Sequence, residues 1–298
     1  MKIVVFLEWK EKCFRTDPEA LRYLRTLVGA DAEIVRARSE WAFLRELPSA
    51  THAIVWHFKS EWFALAKRLE VLATPAAGRE LVPEKGPAGV RIHFGHYHGE
   101  IMAENVAAYA LGVCRGFFLE KPDAWPRAWM SDRCRTLAGT KAVIVGRGGV
   151  GRAIAGKLAA LGVKILTYGR DNAHEVPEAA KTADWLVLAL PSTTGTDDFL
   201  DAGLLAKLPR RAHVVNVGRG NAVDEVSLVE ALKGGKIAGA YLDVVKLEPS
   251  GTVPEFKGAS PDILAGTVPG LVVTPHSSAF APDYIQRCFK ELKDEGLI

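Results

Sequence analysis

The 298 residues are 48% hydrophobic and 24% charged, the balance of a soluble globular chain long enough for two domains with real cores. A net charge of +3 without a Lys/Arg block gives no case for a nucleic-acid partner, and no apolar run nears the roughly 18–20 residues that cross a bilayer. Four widely spaced cysteines, Cys13, Cys114, Cys134 and Cys288, form no CxxC pair and indicate neither a zinc site nor a disulfide framework.

The chain opens on a strand-length run, 3–7, cut by Glu8 and too short for a signal peptide, so a cytoplasmic protein without a membrane anchor is expected. Further strands are expected at 32–36, 53–56 and 69–73, with helices over 18–28 and 61–68. A run at 90–94 leads into 99–120, which reads as one long helix. Pro122, Trp125 and Pro126 mark an irregular stretch. A second α/β unit then starts at Thr140, with strands at 141–145, 164–168, 185–190, 213–217, 238–243 and 271–274. Strands alternating with helices predict an α/β chain with doubly wound parallel sheets, and six strands match one dinucleotide-binding sheet. The short tail after His276 is too small for a domain and is expected to pack back on the first unit. The predicted units are therefore 1–95 plus 277–298, discontinuous, and 96–276.

Strand 141–145 runs into Gly146-Arg147-Gly148-Gly149-Val150-Gly151, a GxGxxG turn opening a helix. The first glycine permits the tight turn, the second a close approach of backbone to a pyrophosphate, and the third close helix–strand packing, so this turn is read as a dinucleotide site. An acidic residue at the end of the next strand would hold the ribose hydroxyls of NAD. Here that position is Gly169, followed by Arg170, a pair that removes the carboxylate and supplies a guanidinium for a 2′-phosphate. NADP is therefore expected in preference to NAD, Asp171 reaching back to the ribose being the alternative.

Three polar residues each follow an apolar run: Arg219 after 214–217, Glu248 after 241–247 and His276 after 271–273. Parallel strands deliver their carboxyl ends to one crevice, so an anion binder, a carboxylate and an imidazole meet there. An imidazole backed by a carboxylate is an acid/base, and a guanidinium beside it holds a carboxylate substrate.

With Leu190-Pro191, Thr193 and Thr196, Asn216-Val217-Gly218-Arg219-Gly220, Leu242-Asp243-Val244, Glu248-Pro249 and Thr274-Pro275-His276, the chain resembles the D-isomer-specific 2-hydroxyacid dehydrogenases. The resemblance covers about 100–280 well and the first hundred residues loosely. Val55-Trp56-His57 and the Gly169-Arg170 pair look most like the glyoxylate/hydroxypyruvate reductase branch. It implies a Rossmann-type cofactor domain, a flavodoxin-like substrate domain and an interdomain cleft. It also implies hydride transfer between NADP(H) or NAD(H) and a small 2-oxo or 2-hydroxy acid, in a homodimer. By the same resemblance His276 is the proton donor, Glu248 its hydrogen-bond partner and Arg219 the substrate clamp. Asp243 receives the nicotinamide carboxamide, and Pro191, Thr196, Val217 and Ser278 line the cofactor. Gly218 departs from the family, where alanine is more usual. Ala77 and Gly78 stand in the family's substrate-carboxylate loop, although its usual Gly-Val-Asp reads Gly78-Arg79-Glu80 here, with Arg79 a candidate for a second acidic group on the substrate.

A dinucleotide-sensing corepressor-like protein without turnover is the alternative from another class, but no interaction tail or peptide-docking signature supports it. His93, His96 and His98 with Glu100 and Glu104 match no known tetrahedral pattern, so no metal is expected there. A polar hinge is the favoured reading, ahead of a substrate-cleft role.

Overall fold

The computed structural model describes residues 1–79, 81–119, 127–246 and 261–298. They fall into two units, Met1–His98 with Phe280–Ile298, and Gly99–Ala279. Both boundaries lie three residues beyond the expected ones, and local hydrogen bonds give the reason. His98 Nε2 meets the Tyr284 hydroxyl at 2.7 Å within the first unit, whereas the Ser277 and Ser278 N–H groups donate to Asp243 within the second.

In the first unit β1 (Lys2–Phe6), β2 (Glu33–Arg36), β3 (His52–Val55), β4 (Val71–Thr74) and β5 (Arg91–Phe94) form a parallel sheet ordered β2-β1-β3-β4-β5. The β1, β3 and β4 runs are almost wholly buried because a parallel sheet is covered on both faces. Helix α1 (Pro18–Val28) starts where Asp17 accepts the Ala20 N–H at 2.7 Å and Pro18 supplies a preset φ, and α2 (Glu40–Glu46) starts at Ser39 in the same way. The segment expected as helix over 61–68 is a 3-10 stretch, Ser60–Ala64.

The second unit begins with α3 (His98–Cys114), whose first residue lies on the boundary, and α4 (Arg127–Ser131). The helix expected to 120 stops earlier, since Gly116 takes φ +73° and the Phe117 N–H turns back to the Gly112 carbonyl. Strands β6 (Lys141–Val145), β7 (Lys164–Tyr168), β8 (Trp185–Leu188), β9 (His213–Asn216), β10 (Gly239–Leu242) and β11 (Leu271–Val273) form one parallel sheet, ordered β11-β10-β9-β8-β6-β7. Helices α5 (Gly149–Ala160), α6 (Val176–Ala180), α7 (Ala202–Leu205), α8 (Glu225–Lys233) and α9 (Pro261–Leu264) connect the strands. Alternate β6 residues serve two cores, Val143 and Val145 with Leu186, Val214 and Leu228, and Ala142 and Ile144 with Ala103, Val106 and Ile154.

The six strands match a dinucleotide-binding sheet in number but not in its usual symmetric order. Two strands lie on one side of the point where the chain reverses direction and four on the other. The connection 169–184 holds only a 3-10 turn and α6, too little for a further strand with its crossover. Direction reverses between β6 and β8, and ligands of open parallel sheets sit outside the carboxyl ends of the strands at that point. Finally α10 (Tyr284–Asp294) returns to the first unit beside α1, with Ile285, Cys288, Phe289 and Leu292 buried. Among the described residues no helix is long and apolar enough to cross a membrane.

Candidate active site

The glycine-rich turn sits at the reversal point. Gly146 takes φ +120°, and a Cβ there would lie 2.3 Å from the Ala189 carbonyl oxygen at the end of β8. A Cβ on Gly151 would lie 1.8 Å from the Gly146 carbonyl oxygen. The protein's own packing therefore requires these two glycines. A Cβ on Gly148 would meet nothing within 4 Å, so this glycine leaves backbone open just where Gly149, Val150 and Gly151 begin α5. The first N–H groups of a helix have no partner within it, and with the macrodipole they attract a phosphate. These residues fit a dinucleotide pyrophosphate.

At the end of β7, Gly169 donates its N–H to Asn172 Oδ1 at 2.9 Å. Arg147 Nη1 pairs with Asp171 at 3.1 Å and its Nη2 donates to Asn172 Oδ1 at 2.7 Å. Arg170 is exposed, with no ion pair to any described residue. The guanidinium free to meet a ligand is thus Arg170, because Arg147 already neutralises Asp171. Beyond β8, Thr196 Oγ1 donates to the Pro191 carbonyl at 2.7 Å and accepts the Thr193 N–H at 3.0 Å, which sets the shape of the 191–196 loop.

The carboxyl ends of β9, β10 and β11 are joined by hydrogen bonds. Fully buried Asn216 accepts the Gly218 N–H at 3.1 Å and donates through Nδ2 to the Arg219 carbonyl at 3.0 Å. The Asp243 N–H donates to the Asn216 carbonyl at 3.0 Å, and the His276 N–H to the Asp243 carbonyl at 2.8 Å. Arg219, Asp243 and His276 are in this way locked on neighbouring strand ends. His276 is exposed and takes φ +50°, a left-handed conformation uncommon outside glycine.

Asp243 anchors this loop. Its buried Oδ1 accepts from Thr274 Oγ1 at 2.5 Å, the Ser277 N–H at 2.9 Å and the Ser278 N–H at 3.1 Å, while Oδ2 accepts from the Ser278 hydroxyl. Asp243 and Asn216 are positioning residues. The motif contained Asn216, but its side-chain bond to the Arg219 backbone was not foreseen.

Two expected cofactor-lining side chains point elsewhere. Val217 is 2% exposed and packs with Ile144, Val215 and Tyr241, and Ser278 is 1% exposed with its hydroxyl spent on Asp243. Each was read from its place in a motif, which does not say which way a side chain faces. Glu248, the expected partner of His276, lies outside the described residues.

In the first unit, Ala77 is exposed and Gly78 half-buried after β4, on a loop shaped by the Ala76 N–H donating to Thr74 Oγ1 at 3.2 Å. Arg79 is paired with Glu84 at 2.7 Å and lies over the Phe94 ring, so it is engaged with the protein itself. Trp56 is 6% exposed and donates Nε1 to the Phe14 carbonyl at 2.8 Å, a core side chain. His93, His96 and His98 lie at the end of the first segment of the first unit. All three contact α10 inside the first unit.

The family model "D-isomer specific 2-hydroxyacid dehydrogenase, NAD binding domain" matches residues 107–278. The chain belongs to the D-isomer specific 2-hydroxyacid dehydrogenase family. Among relatives in this family it is 34% identical over 161 residues to a glycerate dehydrogenase of Methylorubrum extorquens, covering 53% of this chain and 49% of that protein. It is 32% identical over 175 residues to a glyoxylate reductase of Pyrococcus horikoshii, covering 55% and 49%. The matched stretch thus spans about half the length of these curated relatives. The NAD-complexed D-isomer specific 2-hydroxyacid dehydrogenase from Lactobacillus delbrueckii ssp. bulgaricus has the same fold, with a TM-score of 0.77 at 19% identity over 100% of this chain and 96% of that one. Against its family's usual alanine, the chain's Gly218 has a physical account. A Cβ there would lie 2.5 Å from both the N and the O of Leu190, so the ends of β8 and β9 approach too closely for a methyl group.

Proposed function

We propose that this chain reduces small 2-oxo acids of the glyoxylate and hydroxypyruvate type to 2-hydroxy acids, using NADPH in preference to NADH. The observation that carries this reading is the hydrogen-bonded run from Arg219 through Asn216 and Asp243 to His276, on the same sheet edge as the glycine turn. Gly148 and the first turn of α5 hold the pyrophosphate, and Arg170 meets a 2′-phosphate. Asp243, fully buried with both carboxylate oxygens spent on Thr274, Ser277 and Ser278, holds the His276 loop in place rather than receiving the carboxamide. When bound, the dihydronicotinamide supplies the hydride.

Arg219 pairs with the substrate carboxylate and draws electron density from the carbonyl oxygen. His276 gives its proton to that oxygen as the alcohol forms, and takes it back in the reverse direction. Glu248 favours the imidazolium and fixes the ring. The glycerate and glyoxylate names of the two relatives support this substrate class.

A cytoplasmic homodimer completes the reading. On the second unit Phe117 is 78% exposed and Phe118 53%, with Leu111 and Leu119 both at 38%, an apolar patch suited to a second copy.

Initial rates of NADPH and NADH oxidation over a panel of 2-oxo acids test the reading. Turnover of glyoxylate or hydroxypyruvate, faster with NADPH, is expected, and His276→Ala should remove it by roughly 10²-fold or more while cofactor affinity holds. Tight cofactor binding with no turnover of any 2-oxo acid would instead favour a dinucleotide sensor.

A further inference from the structure

A cluster of two imidazoles and two carboxylates in the first unit lies outside all of this chemistry. His93, on β5, is 9% exposed at its side chain and has a carboxylate against each ring nitrogen: Glu291 Oε1 2.8 Å from Nε2, and Glu295 Oε2 3.0 Å from Nδ1. His96, just past β5, places Nε2 3.3 Å from Glu295 Oε1 and 3.4 Å from Glu291 Oε2. Glu291 lies on α10 and Glu295 is its C-cap one turn later, so two segments 195 residues apart in sequence meet here.

The roles within the cluster are unequal. Glu291, also 9% exposed, accepts the His96 backbone N–H at 3.2 Å and is anchored by it. When this carboxylate accepts the Nε2–H of His93, a neutral ring turns the lone pair of Nδ1 toward Glu295. A lone pair facing a carboxylate oxygen is repulsive unless a cation or a proton lies between them. One atom each of His93, His96 and Glu295 lie within 4.8 Å of one another, and ligands about 2.0–2.2 Å from one ion stand at most about 4.4 Å apart, a difference that a small rotation of the exposed His96 and Glu295 side chains closes. His96 and Glu295 are 58% and 38% exposed, which leaves an ion a route in and room for water.

We propose that His93, His96 and Glu295 bind one divalent transition-metal ion, Zn²⁺ above all, with Glu291 orienting His93 through its second nitrogen. Two imidazoles, a carboxylate and an open position suit zinc, and a carboxylate behind a ligating histidine fixes the tautomer. The ion staples α10 to the edge strand β5. Spacing along the sequence hides the site, because half of the cluster comes from the far end of the chain.

Chelator-stripped protein titrated with ZnCl₂ tests this by calorimetry, by thermal unfolding, and with Co²⁺ by its visible d–d bands. One equivalent should bind and raise the unfolding temperature. Glu291→Gln should weaken binding about 10–100-fold, and His96→Ala or Glu295→Gln by more, both exposed positions where the fold tolerates change. His276→Ala should bind zinc like the parent. Binding that survives His96→Ala and Glu295→Gln would overturn the site. So would the absence of stoichiometric binding, in which case the cluster is a set of imidazolium–carboxylate ion pairs.

Discussion

Asp243 spends its carboxylate on the loop that carries His276, accepting from Thr274, Ser277 and Ser278 with both oxygens. Replacing one oxygen with an NH₂ group turns a donor toward groups that themselves donate to Asp243. Asp243→Asn should therefore destabilise the protein by about 1–3 kcal/mol and lower kcat more than it raises the KM of the cofactor. A variant of parental stability and kcat would show that the loop holds itself. At the cofactor end, Arg170→Ala should raise the KM for NADPH by about 10–100-fold, the loss of a charge-assisted contact, and leave that for NADH near its parental value. An equal rise for both would place the arginine away from the 2′-phosphate. At this scale the sequence was legible in position, since Arg219 and His276 stand on neighbouring strand ends, while their chemical roles belong to the proposed reaction. It was not legible where the role depends on direction. Ser278 and Val217 follow motif residues, yet one faces Asp243 and the other the core.

Elements were legible in proportion to how far local signals alone decide them. The central strands appear as apolar runs because they are buried on two faces, and α1 appears through Asp17 and Pro18 at its start. The end of α3 was written in Gly116 but outweighed by the helical pattern around it, and only the left-handed backbone shows that this glycine stops the helix. Strand order cannot be read from a run of residues, and the uneven two-plus-four split around the reversal point was unforeseen. The close approach of β8 and β9 was equally hidden. Gly218→Ala, the family's own preference, should cost about 1–3 kcal/mol here by pushing the Leu190 backbone away, and should loosen the 191–196 loop. A variant unfolding at the parental urea midpoint would mean that the two ends separate freely.

For the molecule as a whole, pH acts through histidines far from the chemistry. His213 is 8% exposed, stacked on Trp185 with its Nδ1 2.9 Å from the Tyr109 hydroxyl. Burial, reinforced by the Arg135 charge and opposed by Asp184, pushes its pKa from 6.5 down to about 4. Between those values the unfolded chain takes up a proton that the folded one refuses. Stability is therefore full above pH 6.5 and falls as pH drops toward 4, by about 2 kcal/mol between pH 7.5 and 5 from this group. His213→Gln should flatten that part of the pH dependence in urea unfolding, and an unchanged slope would assign it elsewhere.

The interruption of the first unit by the second also orders events during synthesis. The second unit is continuous and can complete its sheet as soon as residue 279 leaves the ribosome. The first unit begins earlier and finishes later, because Cys288, Phe289 and Leu292 arrive only with α10. A nascent chain paused just short of residue 280 would carry a finished second unit and an unsealed first one, its apolar face open to chaperones and proteases until the last helix is made.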